Sequence, residues 1–158
     1  MVTATAHAIV AGAIAQKFPD PFLAPLLAFV SHFIMDAVPH WDFGTNWRAR
    51  PKRDTAALAV GETLVGILIG FLLYRQNTQQ LLLGTTIVFS LLPDWLEAPW
   101  YIFFARQQKH RPGPQAGFWE WLTFRIYKTE NAFHTRAQYP LGLVTQIATV
   151  IFFVVMLA

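Results

Sequence analysis

Two long apolar segments constrain this 158-residue chain more than any other feature of its sequence. No charged residue falls between Tyr139 and Ala158, and Glu62 is the only one between Thr55 and Tyr74. Both segments reach the ~20 residues that a helix needs to cross the hydrocarbon core of a membrane. The chain is therefore predicted to be an integral membrane protein, as its composition of 54% hydrophobic and 13% charged residues also indicates.

Three further apolar runs are long enough to be spans, at Val2 to Phe18, Phe22 to Val38 and Leu81 to Phe104. We therefore predict an all-α, polytopic transmembrane helical bundle of about five spans, forming a single membrane-embedded domain over residues 1–158. Before the last span, the second half of residues 106–138 is predicted to be an interfacial amphipathic helix. Its apolar surface would be formed by Phe118, Trp121, Leu122 and Phe124, and its polar surface by Arg125, Lys128 and Glu130.

The basic residues predict an orientation for these five spans. Ten of the twelve lysines and arginines fall on the side of the N-terminus, and only Lys17 and Arg75 fall on the other. Because cytoplasmic loops carry the excess of basic residues, the N-terminus is expected in the cytoplasm and the C-terminus outside. We expect the protein in a plasma or inner membrane.

A weak internal repeat relates the first four spans. The sequence VPHW (38–41) ends the second span, LPDW (92–95) lies late in the fourth, and His7 and Glu62 occupy similar places before them. Spans one and two are thus predicted to be a parallel copy of spans three and four, although two four-residue matches could also arise by chance.

Ionisable residues are concentrated in and after the second span. His32, Asp36 and His40 are spaced i, i+4, i+8, which on a continuous helix places them on one stripe. Pro39 allows a second geometry, in which the helix ends near Val38 and His40 and Asp42 return as loop residues. Both geometries bring these side chains together.

The predicted topology places other ionisable groups at the same depth. They lie near the cytoplasmic ends of their spans or just before them, and groups embedded in spans are functional-site candidates. The predicted metal ligands are His7, His32, Asp36, His40, Asp94 and His134. Glu62 is predicted either to support the metal ligands without binding the metal or to take part in helix packing. Glu97 is predicted to have one of these two roles or to be a catalytic group.

Imidazole and carboxylate groups together suit Zn²⁺, and also Mn²⁺ or Fe²⁺. One or two such ions could be held with a position left for water. The absence of cysteine excludes thiolate ligands. The alternative is that these polar groups only form hydrogen bonds across helices. The H-E-x-x-H and G-x-S-x-G signatures are absent, which disfavours zincin proteases and serine hydrolases.

Four short motifs carry a resemblance to a known family. TATAH, SHFIMD, LLPDWLE and AFHT resemble, in order and spacing, the small polytopic membrane-bound metal-dependent hydrolases, and SHFIMD is similar to the H-x-x-x-D element of zinc-dependent phospholipase C and S1/P1-type nucleases. The resemblance implies a metal site at His7, His32, Asp36, Asp94 and His134. The chain departs from the family pattern at Leu96 and Glu97 and at Phe133 and Arg136.

The leading functional hypothesis is hydrolysis of a phosphoester in a lipid or lipid-linked substrate at the cytoplasmic face. Asp42 or Glu97 would act as the general base. Membrane lipid is the expected partner, no nucleic-acid partner is predicted, and the oligomeric state is left open. The basic residues Arg48, Arg50, Lys52 and Arg53 would attract anionic headgroups, unless they act as topology determinants alone.

Two other classes of function are weighed against hydrolysis. Embedded carboxylates and histidines also build pathways for metal ions or protons, although the far halves of most spans carry no ionisable group. A non-catalytic helical scaffold is the third class. It is supported by Gly66 and Gly70, whose spacing is typical of close helix contacts.

Overall fold

The computed structural model describes residues 3–41, 51–105 and 111–158, and in these ranges the chain is an all-α bundle of six α-helices. The helices are α1 (Ala4–Lys17), α2 (Leu23–Ala37), α3 (Lys52–Tyr74), α4 (Gln80–Pro99), α5 (Phe118–Phe133) and α6 (Leu141–Leu157). A π-helical turn, Trp100–Phe104, continues α4 directly after Pro99. The predicted all-α class is confirmed.

Helix α1 forms the centre of the bundle. It contacts α2, α3, α4 and α6, and most of its residues are buried. Alanine and glycine dominate it, so neighbouring helices can approach its backbone closely. Most of the apolar residues of α1 are therefore buried against other helices of the protein.

Hydrogen bonds anchor the first turn of α1 to two other helices. Thr3 caps the helix by accepting the Ala6 N–H at 3.2 Å, and Gln146 of α6 donates to the Thr3 hydroxyl at 2.7 Å. Glu62 of α3 accepts the Ala4 N–H at 3.0 Å. These contacts satisfy amide groups that have no partner within the helix, and they hold in place the turn that leads to His7.

Helix α3 runs parallel to α1 and touches it through glycines. Gly66 lies against Ala4 and Gly70 against Ala8, so that a Cβ atom at either position would come within 3.0 Å of α1 backbone. The predicted close helix contact at Gly66 and Gly70 is confirmed. These glycines are the buried residues of α3, and most of the remaining surface of the helix is exposed.

Only two helices in the described residues are long and apolar enough to cross a membrane by length and composition. They are Lys52–Tyr74 and Gln80–Phe104, with mean hydropathies of 2.2 and 1.3. The other three predicted spans also contain helices, but α1, α2 and α6 have 14, 15 and 17 residues. Each is shorter than the ~20 residues that a span needs. The structure therefore supports two candidate spans, where the sequence predicts five.

The amphipathic segment predicted before the last span is helical as α5. Phe118 and Trp119 are largely exposed, whereas Phe124 turns inward and its ring lies 5.0 Å from that of Trp100. Phe124 is half-buried and takes part in the contact between α5 and the end of α4. Its place on the apolar surface of an interfacial helix stays a prediction.

Candidate metal centre

The six residues predicted to bind a metal lie together in one buried cluster. His7 comes from α1, His32 and Asp36 from α2, and Asp94 from α4. His40 lies three residues after the end of α2, and His134 directly follows α5. His7, His32 and His40 are completely buried, and Asp36 is 4% exposed.

Asp36 is the centre of this cluster. Its Oδ1 atom lies 3.3 Å from Nε2 of His7, and its Oδ2 atom lies 3.7 Å from Nε2 of His32 and 3.4 Å from Nδ1 of His134. The Oδ1 atom of Asp94 lies 3.6 Å from Nε2 of His32. A carboxylate thus faces each of these three imidazoles.

The donor atoms form two groups that share Asp36. The inner group is His7, His32 and Asp36, and the outer group is Asp36, His40 and His134. Within each group the potential ligand atoms lie within 4.8 Å of one another. Each group thus has the composition and the compactness of a metal site built from nitrogen and oxygen ligands.

Two of the histidines are held by main-chain carbonyl groups. Nδ1 of His32 lies 2.8 Å from the Ser90 carbonyl oxygen, and Nδ1 of His40 lies 2.8 Å from that of Val38. A carbonyl can only accept, so Nδ1 carries the proton and Nε2 carries the lone pair in the neutral ring. In the described part of the chain these two Nε2 atoms make no hydrogen bond. This is the arrangement that metal-binding histidines adopt.

Ser90 has a part that the sequence does not reveal. From the sequence alone, ordinary helix packing explains a serine at this position. In the structure, its hydroxyl donates to the His7 carbonyl at 3.2 Å, while its own carbonyl accepts from His32. It therefore links α1, α2 and α4 at the cluster. A buried serine in an apolar helix carries no signal for such a role.

The local sequence explains how His40 reaches the cluster. Helix α2 ends at Ala37, and Val38 is extended with φ −73° and ψ 132° because Pro39 disfavours helical geometry in the residue before it. His40 is therefore off the stripe formed by His32 and Asp36. Of the two predicted geometries, the loop placement of His40 is confirmed.

Backbone pairing brings His134 to the same place. The Thr135 N–H donates to the Asp36 carbonyl at 2.9 Å, and the His40 N–H donates to the Thr135 carbonyl at 3.2 Å. The Ala137 N–H then donates to the His40 carbonyl at 2.8 Å. As a result the rings of His40 and His134 lie edge to face, with centroids 4.7 Å apart.

Gly142 at the start of α6 permits the close approach of this segment. A Cβ atom there would lie 2.8 Å from the carbonyl carbon of His40 and 2.7 Å from the Ala137 oxygen. Any side chain would push the start of α6 away from the backbone that carries His40.

Burial sets the charge of the groups at the edge of the cluster. It lowers the pKa of His40 to about 4, so this imidazole is neutral near pH 7 and its lone pair is free to bind a cation. Burial also raises the pKa of Glu130 on α5 to about 7, and the negative charge of Asp36 adds to that increase.

The two glutamates of the sequence prediction lie beside the cluster. Glu97 is buried on α4 next to Tyr101, and its Oε2 atom has no hydrogen-bond partner among the described residues. Glu62 caps α1, the helix that carries His7. The supporting role of Glu62 and the catalytic role of Glu97 both stay predictions.

Of the four predicted substrate-binding residues, the structure describes Lys52 and Arg53. Lys52 donates to the Ile102 carbonyl at 3.1 Å and lines a surface pocket of about 590 Å³ with Phe103, Gly113 and Glu120. Arg53 is exposed. Asp42, Arg48 and Arg50 lie outside the described residues.

No family model, curated protein or solved structure matches this chain. The resemblance to membrane-bound metal-dependent hydrolases therefore stays a prediction that rests on the four short motifs.

Proposed function

We propose that this protein is a membrane-embedded, metal-dependent hydrolase that cleaves a phosphoester in a lipid or lipid-linked substrate. The observation that carries the proposal is the buried cluster around Asp36, in which the Nε2 atoms of His32 and His40 are buried and make no hydrogen bond to any described residue. Burying polar atoms without partners is costly. A bound cation would offset that cost.

The donor set favours a divalent ion of the zinc, manganese or iron type. When bound, such an ion polarises a phosphoryl oxygen and lowers the pKa of a water molecule towards neutrality. Asp36 lies at the centre of the histidines. The carbonyls of Ser90 and Val38 hold His32 and His40 in the tautomer that leaves the Nε2 lone pair available to a metal. The ring of Phe33 packs on His32 at 5.5 Å and on Phe133 at 5.5 Å, which shields this side of the cluster from water.

In the proposed reaction a water oxygen forms a bond to phosphorus and the bond from phosphorus to the alcohol oxygen breaks. The proton of the water passes to a carboxylate, for which Glu97 or Asp42 is proposed, and the protonated carboxyl then donates it to the departing alkoxide oxygen, which leaves as the alcohol. Glu97 fits this role because it is buried three residues after Asp94 and retains a carboxylate oxygen without a partner in the described residues.

An apolar groove supports a lipid as the substrate. It has a volume of about 380 Å³ and is lined by Ile34, Val38, Thr145, Ala148, Thr149, Phe152 and Phe153. The hydroxyls of Thr145 and Thr149 donate to main-chain carbonyls of α6, which leaves their methyl groups for the groove. Val38, one of the lining residues, lies two residues before His40. An acyl chain in the groove would place its headgroup end near the outer group.

The membrane arrangement is part of the same proposal. We propose five spans with the N-terminus in the cytoplasm and the C-terminus outside, so that the cluster opens towards the cytoplasm. The exposed apolar surfaces of α3 and α6 support contact with lipid along both helices. With short helices, α1, α2 and α6 would need their flanking residues to complete a crossing.

The test is hydrolysis by purified protein in vesicles that contain phosphatidic acid, with bis(p-nitrophenyl) phosphate as a water-soluble probe. We expect turnover that needs a divalent metal, that a chelator abolishes, and that Asp36→Asn loses. Asp54→Asn, which removes an exposed carboxylate at the start of α3, is the matched control and should retain turnover.

Two results would overturn the proposal. One is metal-loaded protein that hydrolyses neither substrate while metal ions cross the vesicle membrane, which would indicate a transporter. The other is protein that binds no metal at all, which would leave a helical scaffold.

A further inference from the structure

We infer that the cluster is a two-ion centre in which the carboxylate of Asp36 bridges a closed inner ion and an open, exchangeable outer ion. The inference rests on the metal binding assumed in the proposed function. It goes further because it assigns the number of ions, the ligands of each ion, and which of the two ions binds the phosphate.

The first argument is the number of donors. Four imidazoles and two carboxylates lie in the cluster, whereas a tetrahedral zinc ion takes four ligands. One ion bound in the inner group would leave Nε2 of His40 without a hydrogen-bond partner among the described residues. Two ions use every donor when Asp36 is shared.

The second argument is the position of the two oxygens of Asp36. Oδ1 lies 3.3 Å from Nε2 of His7 in the inner group, whereas Oδ2 lies between the groups, 3.4 Å from Nδ1 of His134 and 3.7 Å from Nε2 of His32. A carboxylate that contacts ligands of both groups in this way is placed to bridge two ions. Two-ion sites that act on phosphates hold their ions ~3.5–4 Å apart, a separation that one carboxylate can span.

The third argument is that each group contains its own histidine held by the backbone. His32 of the inner group donates to the Ser90 carbonyl, and His40 of the outer group donates to the Val38 carbonyl. In both, Nε2 is left as the ligand atom. Metal ligands are typically oriented by a hydrogen bond of this kind, so the structure provides the support for two ions separately.

The two groups differ in ways that assign different roles. Asp94 lies 3.6 Å from His32, so the inner ion would have four protein ligands and a closed site. The outer group has three. Three protein ligands and one open position are the pattern of a catalytic ion, and four are the pattern of a structural ion. The outer ion is therefore the one that exchanges and receives the phosphate.

The experiment uses Mn²⁺ as the probe on the full-length protein. Elemental analysis gives the number of ions per chain, and electron paramagnetic resonance shows whether two Mn²⁺ ions are coupled through a bridge. We expect two coupled ions in the wild type, one uncoupled ion in His134→Ala, and loss of the coupled signal in Asp36→Asn. His110→Ala removes the fifth histidine of the chain and should leave two coupled ions.

The same measurement separates the two ions. Brief treatment with a chelator should remove one ion from the wild type and none from His134→Ala, in which only the inner ion remains. The wild-type spectrum does not depend on the folding of any variant. It therefore tests the inference even if a substitution disrupts the bundle. Helix content by circular dichroism identifies such a variant.

The inference is wrong if the saturated wild type holds one ion, or two ions without magnetic coupling. A one-ion protein that hydrolyses phosphoesters would leave the proposed function standing. Two coupled ions without hydrolysis of any phosphoester would support the two-ion centre and contradict the proposed function.

Discussion

The contact between α1 and α3 gives a prediction that ties the fold to the site. In Gly66→Ala the new methyl group would lie 2.7 Å from the carbonyl carbon of Ala4 and 2.8 Å from the nitrogen of Thr5. Both are backbone atoms that no rotamer change can move. Since ordinary contact begins at 3.4 Å, α1 must retreat by about 0.7 Å. Overpacking of this kind reduces the free energy of unfolding by about 1–3 kcal/mol.

Gly61→Ala is the matched control because it lies on the same helix and has nothing within 4 Å of its Cβ position. Replacing glycine by alanine in a helix favours folding by about 1 kcal/mol in both variants, so this contribution cancels in the comparison. Gly66→Ala should therefore be less stable than Gly61→Ala by about 1–3 kcal/mol. Chemical unfolding in mixed micelles, followed by tryptophan fluorescence, measures the difference.

The displacement should also reach the metal ligands. Gly66 packs on Ala4, which lies one turn before His7, and the Ala4 N–H is held by Glu62. Gly66→Ala should therefore bind metal more weakly than Gly61→Ala. Equal stability and equal metal affinity of the two variants would refute the idea that close packing of α1 on α3 positions His7.

Three further predictions concern metal, pH and topology. His32→Ala and Asp36→Ala should lose most of the bound metal by elemental analysis, and equal metal content in both variants and the wild type would contradict the site. Burial lowers the pKa of His40 from 6.5 to about 4, so between these values the unfolded chain binds a proton that the folded chain does not. The metal-free protein should thus lose stability as the pH falls from 6.5 towards 4, and unfolding curves of His40→Gln should show a smaller loss. A membrane-impermeant amine reagent should modify Lys52 from the side of the N-terminus, and labelling from the opposite side alone would overturn the proposed orientation.

Much of the candidate site could be predicted from the sequence because ionisable residues are conspicuous in apolar segments. His7, His32, Asp36 and Asp94 stand out in this way, and all of them lie in the buried cluster. The loop placement of His40 could also be anticipated, since the effect of Pro39 on the preceding residue is local.

The number of spans was harder to predict from the sequence, for a physical reason. An apolar segment indicates that a helix avoids water, but it does not distinguish lipid from the interior of the protein. Helix α1 has the composition of a span, yet it is 14 residues long and surrounded by other helices. The length of α3 and its exposed surface agree with a span, as its sequence predicts.

What the sequence determined by itself is the set of helices, the glycines that allow one close contact, and the residues able to bind a metal. The tertiary structure alone decided that Asp36 belongs to two groups, that Ser90 orients His32, and that residues 135–137, next to His134, pair with the end of α2 and His40. Helix formation and proline effects depend on neighbours in the chain. The distances between ligands depend on how helices from distant parts of the chain pack against one another, and no spacing in the sequence encodes them.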